Sequence, residues 1–217
     1  MSTAITTAVL DLDGPILDVS LRHYQVYAGG VRKLGGEPMD LGSFWAAKRD
    51  KNSDHEILSR SGLPAAAGAY QVFKRETIEA TDHLSLDRLQ PGARETLHRL
   101  AERHSLVLVT LRHSRRRLQQ QLAELEIASL FTHVLSAPAG EVSGWQVKRD
   151  LILEAGCVLG PGTFIAGDTE TEIHAGRALA ISTIAVCDGI RDERHLRVLA
   201  PDWLIPTLAD LPAIFYE

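Results

Sequence analysis

Short apolar runs recur along the chain and alternate with helical patterns. Ala8-Val9-Leu10 is the first, Leu106-Val107-Leu108-Val109 the second, and Val134-Leu135 a weaker third. Phe164-Ile165-Ala166, Thr183-Ile184-Ala185-Val186 and Trp203-Leu204-Ile205 follow. The clearest runs are continuously apolar, not alternating, as befits strands buried on both faces of a parallel sheet. Between them the apolar spacing turns helical. Ala93, Leu97, Leu100 and Ala101 share one face of a helix that Pro91-Gly92 opens. Leu118, Leu122 and Leu125 share a face of the next, with Ser114 placed to cap it. Leu151, Ile152 and Ala155 belong to a third, which Gly156 would end. Such alternation predicts an α/β fold with a doubly wound, mainly parallel sheet.

One stretch breaks the alternation. From about Val19 to about Leu89 no strand is evident. The spacing predicts helices over 19–34, 41–49, 54–60 and 65–83, punctuated by Gly35-Gly36, Pro38, Gly62 and Pro64. The expected organisation is therefore a core of residues 1–17 and 90–217 carrying a helical insert, 18–89, after the first strand.

Composition narrows the partners. The chain has 217 residues and a formal net charge of -5. With no basic excess, nucleic acid is not the expected partner. The run Arg115-Arg116-Arg117 falls in a helical pattern and reads as a solvated helix face. Cys157 and Cys187 lie far apart without metal-ligand spacing, as small buried residues in a reducing cytoplasm would. No apolar stretch is long enough to span a membrane, and the first residues lack the pattern of a signal peptide. The expectation is a cytoplasmic monomer or homodimer.

In a parallel sheet, ligands bind beyond the carboxyl ends of the strands. Asp11 and Asp13 follow the first strand, Thr110 ends the second, and Gly167-Asp168-Thr169-Glu170-Thr171-Glu172 follows the fourth. Carboxylates gathered at one edge repel one another unless a cation sits among them, and oxygen ligands suit Mg²⁺. Alone, Asp11-Leu12-Asp13-Gly14 could be only a turn, and Asp168 or Thr169 only a helix cap. In this order, each after its own strand, they point to chemistry.

These segments, with Lys148 opening a helix, resemble the haloacid dehalogenase-like superfamily, in its phosphoglycolate phosphatase-like branch with a helical cap domain. The motifs that carry the likeness are Asp11-Leu12-Asp13-Gly14-Pro15-Ile16-Leu17-Asp18, Val109-Thr110-Leu111-Arg112, Lys148, and the segment from Gly167 to Glu172. The resemblance implies a Rossmann-like core and a magnesium-dependent phosphatase acting on a small phosphorylated metabolite through an aspartyl-phosphate. It implies Asp11 as nucleophile and Asp13 as general acid, then base. Thr110, Leu111 and Lys148 would bind phosphate. Asp11, the carbonyl of Asp13, and Asp168 would hold Mg²⁺, with Gly167 and Glu172 supporting from behind.

An acid at Asp13 favours phosphate esters over carbon–halogen bonds, because the dehalogenase members lack one there. Pro15 and Ala180 depart from the branch's common residues. Pro15 should leave the reaction untouched, and Ala180, where Gly is frequent, should cost only a little packing. Asp18 reads as a helix cap at the hinge, and Arg112 and His113 as either surface or substrate-facing. Over the site the insert would act as a lid, with His23, Arg49 and Lys51 as candidate specificity contacts. A sugar-phosphate mutase of the β-phosphoglucomutase type and a non-catalytic binding protein are the alternatives.

Overall fold

The computed structural model describes residues 6–138 and 144–216. Strand β1 is Thr6–Leu10, and a short β2, Leu17–Asp18, follows. Five helices come next: α1 (Ser20–Lys33), α2 (Leu41–Arg49), α3 (Asp54–Arg60), α4 (Ala67–Thr77) and α5 (Thr81–Leu84). After β3 (Arg88–Leu89) strands and helices alternate: α6 (Ala93–Ala101), β4 (His104–Thr110), α7 (Arg115–Glu124), β5 (Phe131–Ser136), α8 (Trp145–Glu154), β6 (Phe164–Gly167), α9 (Glu170–Ala178), β7 (Ser182–Val186), α10 (Glu193–Val198), β8 (Trp203–Ile205) and α11 (Leu211–Tyr216).

The chain forms two compact units, one of residues 1–17 and 89–217 and the other of residues 18–88. In the first, six parallel strands lie in the order β5-β4-β1-β6-β7-β8. This is the doubly wound α/β architecture with a mainly parallel sheet. The chain steps outward from β1 to β4 and β5, then returns to the other side of β1 with β6. That reversal makes β1 and β6 the switch point, where a crevice opens beyond their carboxyl ends. Val9, Val107, Val109 and Ile165 on the strands pack with Ile152 of α8 and Ala175 of α9. Where the chain leaves and rejoins this unit, the Gln90 N–H donates to the Ile16 carbonyl at 2.9 Å and Gln90 Nε2 to the Gly14 carbonyl at 2.9 Å.

The helical unit has its own core. Tyr27, Ala28 and Val31 of α1 pack with Phe44, Ala47, Ile57, Leu58 and Tyr70. Tyr27 and Phe44 stack with centroids 4.4 Å apart. The Tyr27 hydroxyl accepts from the Met39 N–H and meets the Ser61 hydroxyl, so its polar end is satisfied. Buried beside it, Arg22 donates from Nε to Asp87 at 2.9 Å. Asp40 caps α2, and Ser53 with Glu56 forms a capping box on α3.

Some local expectations need correction. Residues 65–83 are two helices, not one: the backbone turns extended at Ala80. Ala101 is exposed, at the last turn of α6. Ser114 occupies the N-cap position of α7 without a capping bond from its side chain. Asp18 accepts the Ser20 N–H and so supports the start of α1. Ala180 has a φ of 53°, in the left-handed region, so its cost is backbone strain and not packing.

Candidate active site

Asp11 emerges directly from β1, its N–H still donating to the Ala166 carbonyl at 3.0 Å. Asp168 follows β6, the neighbouring strand. The two acids therefore meet at the switch point, and Glu172 joins them from the first turn of α9. One carboxylate oxygen from each of Asp11, Asp168 and Glu172 lies within 4.8 Å of the other two. All three residues are buried.

Lys148 reaches into this group from the first turn of α8. Its Nζ is 2.8 Å from Asp11 Oδ1 and also donates to Glu172 Oε1. Both oxygens of Glu172 accept hydrogen bonds, since Oε2 takes the N–H and hydroxyl of Thr169 in a capping box. Asp168 is bonded on one side only: Oδ2 accepts from the Ile190 N–H, while Oδ1 is buried with no hydrogen-bond partner. A buried, unpartnered carboxylate oxygen is costly and calls for a cation.

The electrostatics agree. Three buried carboxylates face one buried ammonium, a deficit of two positive charges. Burial pushes the Asp11 carboxyl up to about 7; Lys148 opposes the rise, and the charge of Glu172 adds to it. Asp168 is raised well above the ordinary range, first by burial and then by Asp11 and Glu172. Burial alone would lower the Lys148 ammonium, but its two carboxylate partners outweigh it and hold the group charged. A divalent cation beside Asp11 and Asp168 would remove the deficit, and their hard oxygens suit Mg²⁺.

Glycines make the space. A Cβ on Gly14, at φ +113°, would lie 1.9 Å from Asp168 Oδ2, and one on Gly189 would lie 2.0 Å from it. A Cβ on Gly167 would lie 2.0 Å from Glu172. All three positions admit only glycine if the acids are to stay in place.

Asp13 points elsewhere. Its carboxylate is gripped by Arg112, with Nε 3.0 Å from Oδ2 and Nη2 2.5 Å from Oδ1. Arg112 also donates from Nη1 to Gln121 of α7. Thr110 is buried at the end of β4, its hydroxyl accepting the Arg112 N–H at 3.4 Å. Leu111 follows it, half-buried, and His113 is exposed.

The sheet unit thus brings Asp11, Lys148, Asp168, Glu172 and Gly167 together, with Asp13 two residues past Asp11 and Thr110 at the end of β4. His23, Arg49 and Lys51 belong to the helical unit. There His23 lies beside Trp45 with ring centroids 6.2 Å apart, Arg49 ends α2, and Lys51 sits in the left-handed turn after it. Sequence reasoning missed Gln121 and Gly189 and left Arg112 undecided. The one available signal was an arginine two residues past Thr110.

A family model for haloacid dehalogenase-like hydrolases matches residues 8–186. A phosphoglycolate phosphatase of Synechococcus elongatus is 25% identical over 203 residues, covering 94% of this chain and 93% of that protein. Among solved structures, a haloacid dehalogenase-like hydrolase of Streptococcus pneumoniae superposes with a TM-score of 0.78 at 21% identity, over 97% of this chain and 98% of that one. A chain from Thermotoga maritima assigned as a β-phosphoglucomutase superposes with a TM-score of 0.68 at 14% identity, over 97% and 98%.

Proposed function

The chain belongs to the haloacid dehalogenase-like hydrolase family, and from that premise we propose that it is a phosphatase cleaving a small soluble phosphate monoester through an aspartyl-phosphate. The observation that carries this reading is Asp11: a buried carboxylate at a sheet switch point, beside the Lys148 ammonium and within reach of Asp168. The likeness to a phosphoglycolate phosphatase supports phosphate esters as the substrate class.

An Asp11 oxygen attacks phosphorus, and the P–O bond to the leaving group breaks. Asp13 gives its proton to the departing oxygen. In the second step Asp13 takes a proton from water as that water attacks phosphorus, and the bond to Asp11 breaks, releasing phosphate. The Thr110 hydroxyl, the Leu111 N–H and Lys148 hold the non-bridging oxygens. Glu172 keeps Lys148 and the start of α9 in place. Asp11, Asp168 and the carbonyl of Asp13 would hold Mg²⁺, which would supply neutralisation of charge on the transferring group. Arg49, Lys51 and His23 are retained as candidate substrate contacts. Neutralising Arg49 and Lys51 together should raise KM for the best substrate, and an unchanged KM removes them from the site.

The test is a phosphate-release screen over small phosphate esters with Mg²⁺, with Asp11→Asn as control. We expect release that falls at least about 10³-fold in the variant. Activity that survives Asp11→Asn overturns the nucleophile. Isomerisation of a sugar phosphate without release would make the chain a mutase.

A further inference from the structure

We propose that Arg112 is a positioning residue for Asp13: it fixes the carboxyl group that enters the first step protonated and hands that proton to the leaving group. This rests on the phosphatase reading above. The guanidinium grips both carboxylate oxygens at once, through Nε at 3.0 Å and Nη2 at 2.5 Å. A two-point grip sets the plane of the carboxylate as well as its position. Behind it, the third nitrogen is anchored on the buried Gln121.

Exposure separates the roles. The Asp13 side chain is 19% exposed and that of Arg112 only 4%. Arg112 thus lies behind Asp13 and acts through it. A carboxylate offers about four acceptor positions. The fork uses one on each oxygen, and the reacting proton needs only one more.

Such support has a clear purpose. Asp13 sits in a tight turn, bridged to Leu17 and followed by Gly14 at φ +113°. The fork fixes the plane of its side chain against that turn. A misplacement of about 1 Å can cost about 10²-fold in rate. Lysine would keep the charge but lose the fork.

The proton goes from Asp13 to the bridging oxygen as the bond from Asp11 to phosphorus forms and the bond to the leaving group breaks. Poor leaving groups need this proton most. The experiment therefore measures kcat/KM, which reports steps through aspartyl-phosphate formation, for accepted esters graded from aryl to alkyl. The proteins are wild type, Arg112→Met, Arg112→Lys, Gln121→Leu, Asp13→Asn and the Asp13→Asn/Arg112→Met double variant.

For Arg112→Met we expect a loss of about 10²-fold on alkyl esters and under about tenfold on aryl esters with acidic leaving groups. Arg112→Lys should show the same steepening, and Gln121→Leu a weaker one. On the Asp13→Asn background, Arg112→Met should cost less than about threefold more, because both changes remove one function. Should Arg112→Met not fold, Arg112→Lys and Gln121→Leu carry the same readout. A uniform loss along the series, a rise in KM alone, or additive losses in the double variant would overturn the proposal. A flat series for Asp13→Asn would instead overturn the acid assignment itself, and this proposal with it.

Discussion

In the helical unit the buried charges balance one to one: Arg22 donates to Asp87, and both side chains are almost wholly hidden. In the sheet unit they do not balance. Asp11, Asp168 and Glu172 surround the Lys148 ammonium, and one oxygen of Asp168 has no partner. The first arrangement holds a fold together. The second leaves an excess of negative charge that a cation or bound protons must offset, which is the mark of a working site. The same contrast runs through the glycines: those at 14, 167 and 189 keep backbone close to carboxylates. In the helical unit Gly30 instead lets α1 approach the rings of Tyr70 and Phe73.

The comparison can be broken in several places. The largest effect is expected in the helical unit. Arg22→Met takes the guanidinium away from the buried Asp87 carboxylate, so urea unfolding should show a loss of about 3–5 kcal/mol. Limited proteolysis should then cut within residues 18–88 first. A loss below 1 kcal/mol would mean that the pair is not the balanced contact described, since typical point changes already centre near about 1 kcal/mol.

The cation effect comes next. Asp11 and Asp168 have raised pKa values in the fold, so between their ordinary 3.8 and about 7 the folded chain binds more protons than the unfolded one. Stability from these groups is in place below the ordinary carboxylate range and is lost as pH rises through about 7. Without divalent cations, Tm should therefore be lower at about pH 8 than at about pH 5, as far as these groups decide it. Magnesium at about 100 times its Kd should restore about 2.7 kcal/mol at the higher pH, a rise of about 5–10 °C. The rise should shrink at the lower pH, where protons compete. An equal rise at both values would place binding away from these acids.

Gly189→Ala sharpens the point. Its Cβ would collide with Asp168, so we expect a loss of about 1–3 kcal/mol and a smaller magnesium-induced rise in Tm. An unchanged magnesium response would show that Asp168 can move without consequence. The smallest effect has the opposite sign. Ala180→Gly relieves a left-handed backbone and should raise stability by about 1 kcal/mol, read as a small increase in Tm.

How much of this could be read from the chain follows a physical division. The strands of the sheet unit are continuously apolar, because parallel strands are covered on both faces, and β1, β4, β6 and β7 stand out for that reason. The acids that follow them are then located by topology alone. β2 and β3 have two residues each, too few to show any period. The break between α4 and α5 carries no glycine or proline, so nothing local announces it. Arg112, Gln121 and Gly189 were beyond reach for another reason. Arg112 and Asp13 are 99 positions apart, and no pattern along the chain says that a guanidinium on one loop will fork a carboxylate on another. Ala180 was visible as a residue but not as a dihedral.

The hydrogen bond from Gln90 to Ile16 has a consequence for how such a chain can change over time. Its two ends lie where the chain departs from the sheet unit and where it returns, so the gap they leave is no wider than a hairpin. For the sheet unit to close, that gap must be bridged. Everything from Asp18 to Arg88 is in that sense a cassette. A short turn, a longer bundle or a different fold could be spliced between the same two points while β1 and β4 kept their register. Catalytic and recruiting parts of the gene would then be free to diversify at different speeds.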